Sequence, residues 1–186
     1  MKKSYTLLIY ILFVFSNVLG QVTGDFQSKT RGAGLWNDYK SWEIYNGTGW
    51  ISATSGKLPT DTTDVEIKAG DAMVINATSL LSGNLTVNGS LTYHSTTVSS
   101  LTVGGNVIVG KTGSFTSPSS GKVITHFLYI GGSAYNSTTG GDLLVDGVFN
   151  MNVNSSGVTV YFTGSLNNTI SGTGSINFYS IFVDKG

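Results

Sequence analysis

The chain has 186 residues, of which 40% are hydrophobic, and its 10 basic and 10 acidic side chains give a formal net charge of +0 at pH 7. This balance lacks the basic excess that neutralises phosphates, so the composition argues against nucleic-acid binding. Cysteine is absent, whereas glycine occurs 25 times and proline twice. We therefore expect apolar burial and repeated backbone pairing, rather than disulfides, to stabilise the fold.

Residues 1–20 are predicted to be a secretory signal peptide. Lys2 and Lys3 form its basic start, Leu7 to Val14 is an almost unbroken apolar run, and small or permissive residues precede Gln21. The apolar run is about half of the roughly 20 residues that a membrane span needs. We expect cleavage after residue 20, a secreted, cell-surface or extracellular location, and no membrane span in the mature protein.

Residues 21–76 are predicted to form an N-terminal cap that differs from the rest of the chain, because all three tryptophans lie there. Ser41 to Tyr45 and Trp50 to Ala53 are β-prone and are separated by Asn46 to Gly49. Asn-Gly between two such runs favours a hairpin, since both residues tolerate positive φ. Alternating polar and apolar residues predict a strand over Asp64 to Lys68, and Ala72 to Ile75 is expected to be the first strand of the coils that follow.

Residues 77–186 repeat one phrase, a β-prone run, a small turn with glycine and a second β-prone run. It occurs over Leu85 to Tyr93, Leu101 to Val109 and Leu143 to Met151, and more loosely over Val160 to Leu166. Such repetition is typical of chains that stack similar β units, each burying an apolar face against its neighbour. The sequence therefore predicts an all-β fold of stacked coils, a β-solenoid.

The glycine turns also predict a coil length. Most gaps between them are about 15 to 17 residues and one is about 27, which suits coils of similar length with one insertion. The turns are Asn88-Gly89, Gly104-Gly105, Gly131-Gly132, Asp146-Gly147 and Thr163-Gly164.

The end of the chain is strongly apolar, whereas a stack of coils should finish with a polar or structured cap. No such cap is visible after Gly172. We expect either that the chain is the N-terminal part of a longer protein or that its end pairs with a partner, which includes end-to-end self-association.

The cap contains several short motifs, which are Trp36-Asn37-Asp38, Ser41-Trp42-Glu43, Gly49-Trp50, Pro59, Asp64 to Ile67 and Gly70 to Ile75. These motifs resemble the N-terminal region of large secreted proteins of Bacteroidota, many exported by the type IX system, and more distantly G8-type domains. The resemblance implies a right-handed parallel β-helix, to which the Trp-rich hairpin predicted above would be the N-terminal cap, and placement at the cell surface or outside the cell. It implies little chemistry. The C-terminal sorting domain of type IX substrates is not visible here, which again favours truncation.

Candidate binding residues are few. Trp42 and Trp50 are able to present flat faces to sugar rings, or else they are cross-strand neighbours that close the start of the rod. Asp61, Asp64 and Asp71 offer oxygens to Ca²⁺, although they also stand at turns and strand edges where Asp is common. The Asn and Thr residues within the coils are expected to form stacked side-chain ladders.

Catalytic signals are weaker still. His94 and His126 lack a partner at ligand or triad spacing, and Lys111 and Lys122 lack neighbouring carboxylates in the sequence. We expect no catalytic residue, metal or cofactor. The leading hypothesis is a structural or adhesin-like rod that contacts surface polysaccharide or other cell-surface proteins; the alternative is a carbohydrate-binding or polysaccharide-degrading module that uses a groove of the coils.

Overall fold

The computed structural model describes residues 20–29, 33–119, 126–131, 141–153, 156–163 and 167–184. These residues are nearly all-β, with one short 3-10 helix at Tyr39–Ser41. None of their helices is long and apolar enough to span a membrane. The predicted signal peptide, Lys122 and the turns at Gly131-Gly132 and Thr163-Gly164 lie wholly or partly outside the described residues.

The strands form three sheets. Sheet A contains β1 (Phe26–Ser28), β3 (Trp42–Tyr45), β4 (Trp50–Ser52), β5 (Val65–Ile67), β8 (Leu85–Val87), β11 (Val107–Val109), β14 (Leu143–Val145) and β18 (Ile170–Ser171). Sheet B contains β2 (Ala33–Leu35), β6 (Ala72–Ile75), β9 (Ser90–Tyr93), β12 (Ser114–Thr116), β15 (Val148–Asn150) and β19 (Ser175–Asn177). Sheet C contains β7 (Leu80–Ser82), β10 (Ser100–Val103), β13 (His126–Ile130), β17 (Ser156–Phe162) and β20 (Ser180–Val183), with β16 (Asn152–Val153) antiparallel to β17.

From β5 onward the chain visits sheets A, B and C in turn, and we call each such set of three strands a coil. Within the stack, strands of the same sheet in successive coils pair in parallel, as β8 does with β5 and β11. The same holds for β12 between β9 and β15, and for β13 between β10 and β17. The predicted all-β class is confirmed, and the sheets are parallel along the stack.

The predicted coil length is wrong. At equivalent corners of successive coils a backbone N–H donates to the side-chain oxygen of the residue 20, 22, 36 or 27 positions earlier. The prediction failed because the strand-glycine-strand unit occurs at two different corners of a coil. Asn88-Gly89 separates β8 in sheet A from β9 in sheet B, whereas Gly104-Gly105 separates β10 in sheet C from β11 in sheet A.

The core lies between the three sheets, and alternate residues of each strand fill it. In sheet B one inward position is occupied by Met73, Leu91, Phe115 and Phe149 in successive coils, and all four are fully buried. The Phe115 and Phe149 rings meet edge to face with centroids 5.6 Å apart. Burying each such side chain contributes roughly 1.5–3 kcal/mol, an upper estimate for a compact unfolded state.

The N-terminal end is closed by the predicted hairpin, whose strands β3 and β4 pair antiparallel with Tyr45 opposite Trp50. Trp42 is fully buried, and its Nε1 donates to the carbonyl of Trp36 at 2.8 Å. The expectation that Trp42 and Trp50 are cross-strand neighbours is therefore wrong, because the Trp42 ring enters the core and packs on Trp36 with centroids 5.1 Å apart. The parallel stack also begins before Ala72, since β1 pairs with β5 and β2 with β6.

Candidate functional surfaces

Trp50 lines a groove on the outside of sheet A with a volume of about 390 Å³. The ring is half-buried and lies 5.4 Å from the ring of Tyr45, centroid to centroid. Trp42 does not reach this groove. Of the two tryptophans considered for sugar binding, only Trp50 stands beside an open surface. The other described residues that line the groove include Asp25, Asp64, Glu66, Thr86, Asn88 and Ile108.

The groove is acidic, but its carboxylates are engaged within the protein. Asp25 Oδ1 accepts the Asp64 backbone N–H at 3.3 Å, and Glu66 Oε1 accepts from Asn88 Nδ2 at 3.0 Å. Burial raises the pKa of the Asp25 carboxyl above its ordinary value, although the backbone N–H groups of Val22 and Asp64 oppose this. An aromatic wall beside oxygen acceptors suits a ligand rich in hydroxyl groups.

A continuous side-chain ladder runs along the corner that precedes each sheet A strand. At each step a side-chain oxygen accepts the backbone N–H of the equivalent residue in the next coil, over distances of 3.3, 2.9, 2.9, 2.8 and 2.7 Å. The expected ladder of Asn and Thr side chains is confirmed only for Asn, because the other acceptor side chains are Asp and Thr169 takes part through its backbone N–H. The members of this corner ladder are Asp25, Asp64, Asn84, Asn106, Asp142 and Thr169.

The surroundings of Asp64 and Asp71 do not support the Ca²⁺ site considered for them. Asp64 belongs to the corner ladder, and Asp71 is buried and accepts a hydrogen bond from the Ser28 hydroxyl. Over the residues that the structure describes, no group of three His, Cys, Asp or Glu side chains is arranged to hold a metal ion.

His126 is the least expected polar residue of the core. It is fully buried, its ring centroid lies 5.0 Å from that of Tyr93, and neither ring nitrogen has a hydrogen-bond partner within the described part of the chain. Burial, and secondarily the charge of His94, lowers the pKa of His126 from 6.5 to about 4. The alternating burial of His126 to Ile130 points the histidine inward, whereas the sequence of this segment has no alternation of polar and apolar residues that would have predicted it.

Two further features emerged only from the register of the coils. On the outer face of sheet C the Tyr129 and Tyr161 rings stack 4.9 Å apart, and Phe182 stacks on Tyr161 at 5.1 Å. The Tyr161 ring is thus covered on both faces, whereas Phe182 has a described ring on one side only and is 52% exposed. The second feature is the Asp146 carboxyl, whose pKa is lowered mainly by hydrogen bonds from Thr173. The positive charge of Lys111, in the preceding coil, lowers it further, although Lys111 has no carboxylate near it in the sequence.

Comparison with known proteins yields no match among protein families, curated proteins or solved structures.

Proposed function

We propose that the chain is a right-handed parallel β-helix that acts as a secreted, cell-surface or extracellular shaft, with a structural or adhesin-like role and no catalysis of its own. The observation that carries the proposal is the parallel pairing of successive coils in all three sheets. Each coil lengthens the stack by one strand spacing, about 4.8 Å. The corner ladder and the inward apolar rows fix the register, so a stack of this kind is a stiff spacer whose length follows the number of coils.

The engagement of the reactive side chains favours a non-catalytic role. Asp64 and Asp71 hold backbone and hydroxyl groups, and His126 lies among apolar side chains. General acid–base catalysis needs such groups within reach of a substrate. Incubation of the purified chain with soluble polysaccharides is expected to produce no new reducing ends or unsaturated products, and their appearance would contradict the proposal.

Secretion is tested at the N-terminus. Mass spectrometry of chain recovered outside the cytoplasm is expected to find Gln21 as the first residue. Leu12→Arg places a charge in the apolar run and is expected to retain the chain inside the cell, whereas the matched Leu12→Ile change leaves export intact. Export of the Leu12→Arg variant, or a mature chain that keeps residues 1–20, would contradict a cleaved signal peptide.

The second candidate function is carbohydrate binding in the groove beside Trp50, favoured by the half-buried ring next to the Asp25 and Glu66 carboxylates. Affinity electrophoresis in gels that contain soluble polysaccharides tests it. Trp50→Ala is expected to abolish any retardation, and Tyr179→Ala, which removes an exposed ring elsewhere, to leave it unchanged. If the unaltered chain is not retarded by any of the polysaccharides, this candidate fails while the shaft proposal stands.

A further inference from the structure

The groove beside Trp50 extends over three coils of sheet A. Glu66, Thr86 and Ile108 line it from the same outward position of successive strands, because Thr86 pairs with Glu66 on one side and with Ile108 on the other. Strands of a sheet lie about 4.8 Å apart, so this row is about 10 Å long. The groove is therefore elongated along the stack and suits a polymer better than a small rounded ligand.

The side of the groove nearest the hairpin carries an aromatic ring and two carboxylates. Tyr45 pairs with Trp50 and donates its backbone N–H to the carbonyl of Asp25 at 2.9 Å, so Trp50 and Asp25 lie at the same level of the sheet. Asp64 stands beside Asp25, whose Oδ1 accepts the Asp64 backbone N–H. The ring and the two carboxylates are therefore grouped next to Glu66, the first residue of the outward row.

The groove carries negative charge that its own lining does not offset. Asp25, Asp64 and Glu66 line it, and the described lining residues include no Lys or Arg. Burial is the main cause of the raised pKa of Asp25, and the charge of Asp64 adds to it, so the two carboxylates repel each other. The Lys68 ammonium lies 3.3 Å from Glu43, which is not among the residues that line the groove.

This charge favours a ligand that donates hydrogen bonds and is positively charged. Ionised carboxylates only accept hydrogen bonds, so the sulfate and carboxylate groups of acidic glycans find no partner in them and are repelled. An ammonium group donates three hydrogen bonds, is attracted by the carboxylates, and interacts favourably with the face of an aromatic ring such as Trp50. Gln21 also lines the groove, and the α-ammonium group that cleavage before Gln21 would add offsets only one of the three carboxylates.

We propose that the groove binds a polysaccharide of amino sugars with unacetylated amino groups, in preference to neutral and acidic polysaccharides. The inference rests on the carbohydrate-binding candidate above and names its ligand class. One sugar ring packs its apolar face on Trp50, and ammonium groups of the polymer contact the three carboxylates. The hydroxyl of Thr86 and the amide of Asn88 provide hydrogen-bonding groups for the sugar hydroxyls.

Isothermal titration calorimetry with matched hexasaccharides tests the proposal. Hexamers of glucosamine and of N-acetylglucosamine share one backbone and differ in whether the nitrogen carries a charge, and a galacturonic acid hexamer supplies negative charge. At about pH 6 the purified chain is expected to bind the glucosamine hexamer about tenfold or more tightly than the N-acetylglucosamine hexamer, and not to bind the galacturonic acid hexamer. Raising the salt concentration from about 0.05 M to about 0.5 M is expected to weaken binding of the glucosamine hexamer.

Glu66→Gln removes one charge from the groove but keeps a side-chain oxygen that accepts from Asn88 Nδ2. It is expected to weaken binding of the glucosamine hexamer about threefold to fivefold and to leave that of the N-acetylglucosamine hexamer unchanged. Asp184→Asn makes the same change in net charge at an exposed residue that follows β20 in sheet C, and is expected to bind as the unaltered chain does. Trp50→Ala is expected to abolish binding of both hexamers, and circular dichroism establishes that each variant is folded.

The outcomes separate the ligand class from the carbohydrate-binding candidate. Equal or tighter binding of the N-acetylglucosamine hexamer, or a Glu66→Gln variant that binds glucosamine as the unaltered chain does, would overturn the amino-sugar proposal and leave the groove a carbohydrate site. Hexalysine bound as tightly as the glucosamine hexamer would also overturn it, because the groove would then recognise any chain of cations. Absence of binding to every hexasaccharide would overturn both the proposal and the carbohydrate-binding candidate.

Discussion

At the scale of single residues, the corner ladder shows how polar side chains stabilise a stack that has no disulfides. Asn106 is representative, because its Oδ1 accepts the backbone N–H of Asp142 at 2.8 Å while its own N–H donates to Asn84 at 2.9 Å. A partly buried backbone N–H that loses its acceptor retains the cost of desolvation. Each member of the ladder therefore fixes the position of the next coil.

Asn106→Ala is expected to lower the free energy of unfolding by about 1–3 kcal/mol, because the Asp142 N–H is left without an acceptor. Urea unfolding followed by circular dichroism measures the loss. Asn152→Ala is the matched control, since Asn152 is exposed and lies outside the ladder, and it is expected to change stability by less than about 0.5 kcal/mol. Equal effects of the two substitutions would contradict a stabilising role for the ladder.

His126 predicts a dependence of stability on pH. Its pKa is about 4 in the folded chain and near 6.5 when unfolded, so between these values the unfolded chain binds the additional proton. The contribution of the neutral His126 to the free energy of unfolding is therefore fully present above pH 6.5. It decreases as the pH falls and is lost by about pH 4. The pKa difference corresponds to an upper limit of about 3–4 kcal/mol.

The comparison that isolates this effect uses His126→Phe, which keeps an aromatic ring beside Tyr93 but cannot take up a proton. Urea unfolding at pH 7 and at pH 4.5 is expected to show a smaller loss of stability for this variant than for the unaltered chain. His94→Asn, on a half-exposed histidine, is expected to keep most of the original pH dependence. An unchanged pH dependence in His126→Phe would show that other groups cause it.

At the scale of elements, the corner between sheets A and B depends on close backbone approach. A Cβ on Gly147 would lie 2.2 Å from the carbonyl oxygen of Gly113 and 2.3 Å from that of Gly110, both in the preceding coil. Backbone atoms cannot yield as a flexible side chain does, so any side chain here would force β15 away from β12. Glycine is therefore required in this turn because the backbones of successive coils approach each other so closely there.

Gly147→Ala is accordingly expected to lower the free energy of unfolding by about 2–3 kcal/mol, the range of a substitution that strains a packed site. Gly49→Ala provides the control, because a Cβ at Gly49 meets no atom within 4 Å, and it is expected to be nearly neutral. Thermal melts of both variants give the answer. A Gly147→Ala chain as stable as the unaltered one would show that the coils are less tightly stacked than described.

The elements differ in how far the sequence predicts them. The hairpin over Ser41 to Ala53 is predictable because Asn46-Gly47 acts locally. The coil length is not predictable, because the residues around the corner at Asn88 follow the same pattern as those around the corner at Gly104. Trp42 and Trp50 look alike in the sequence, and only the packing of β1 against β3 sends the first into the core and leaves the second beside a groove.

At the scale of the whole molecule, the repeated unit of strand, glycine turn and strand predicts that similar coils stack. The alternation of apolar residues within a strand does not distinguish parallel from antiparallel sheets. The outer aromatic row and the corner ladder depend on which coil lies above which, so they follow only from the observed register. Because successive coils pair in the same way, we expect the remaining coils still to stack after one whole coil is removed.

Residues 85–106 form one complete coil of 22 residues, β8 to β10, and removing them joins Asn84 directly to the strand that follows its equivalent, Asn106. Paired spin labels on Thr54→Cys and Ser171→Cys report the length of the stack. We expect a sharp distance distribution that shortens by about 4.8 Å, one strand spacing, on deletion. An unchanged distance, or a broad distribution from a chain that no longer folds, would contradict parallel stacking of equivalent coils.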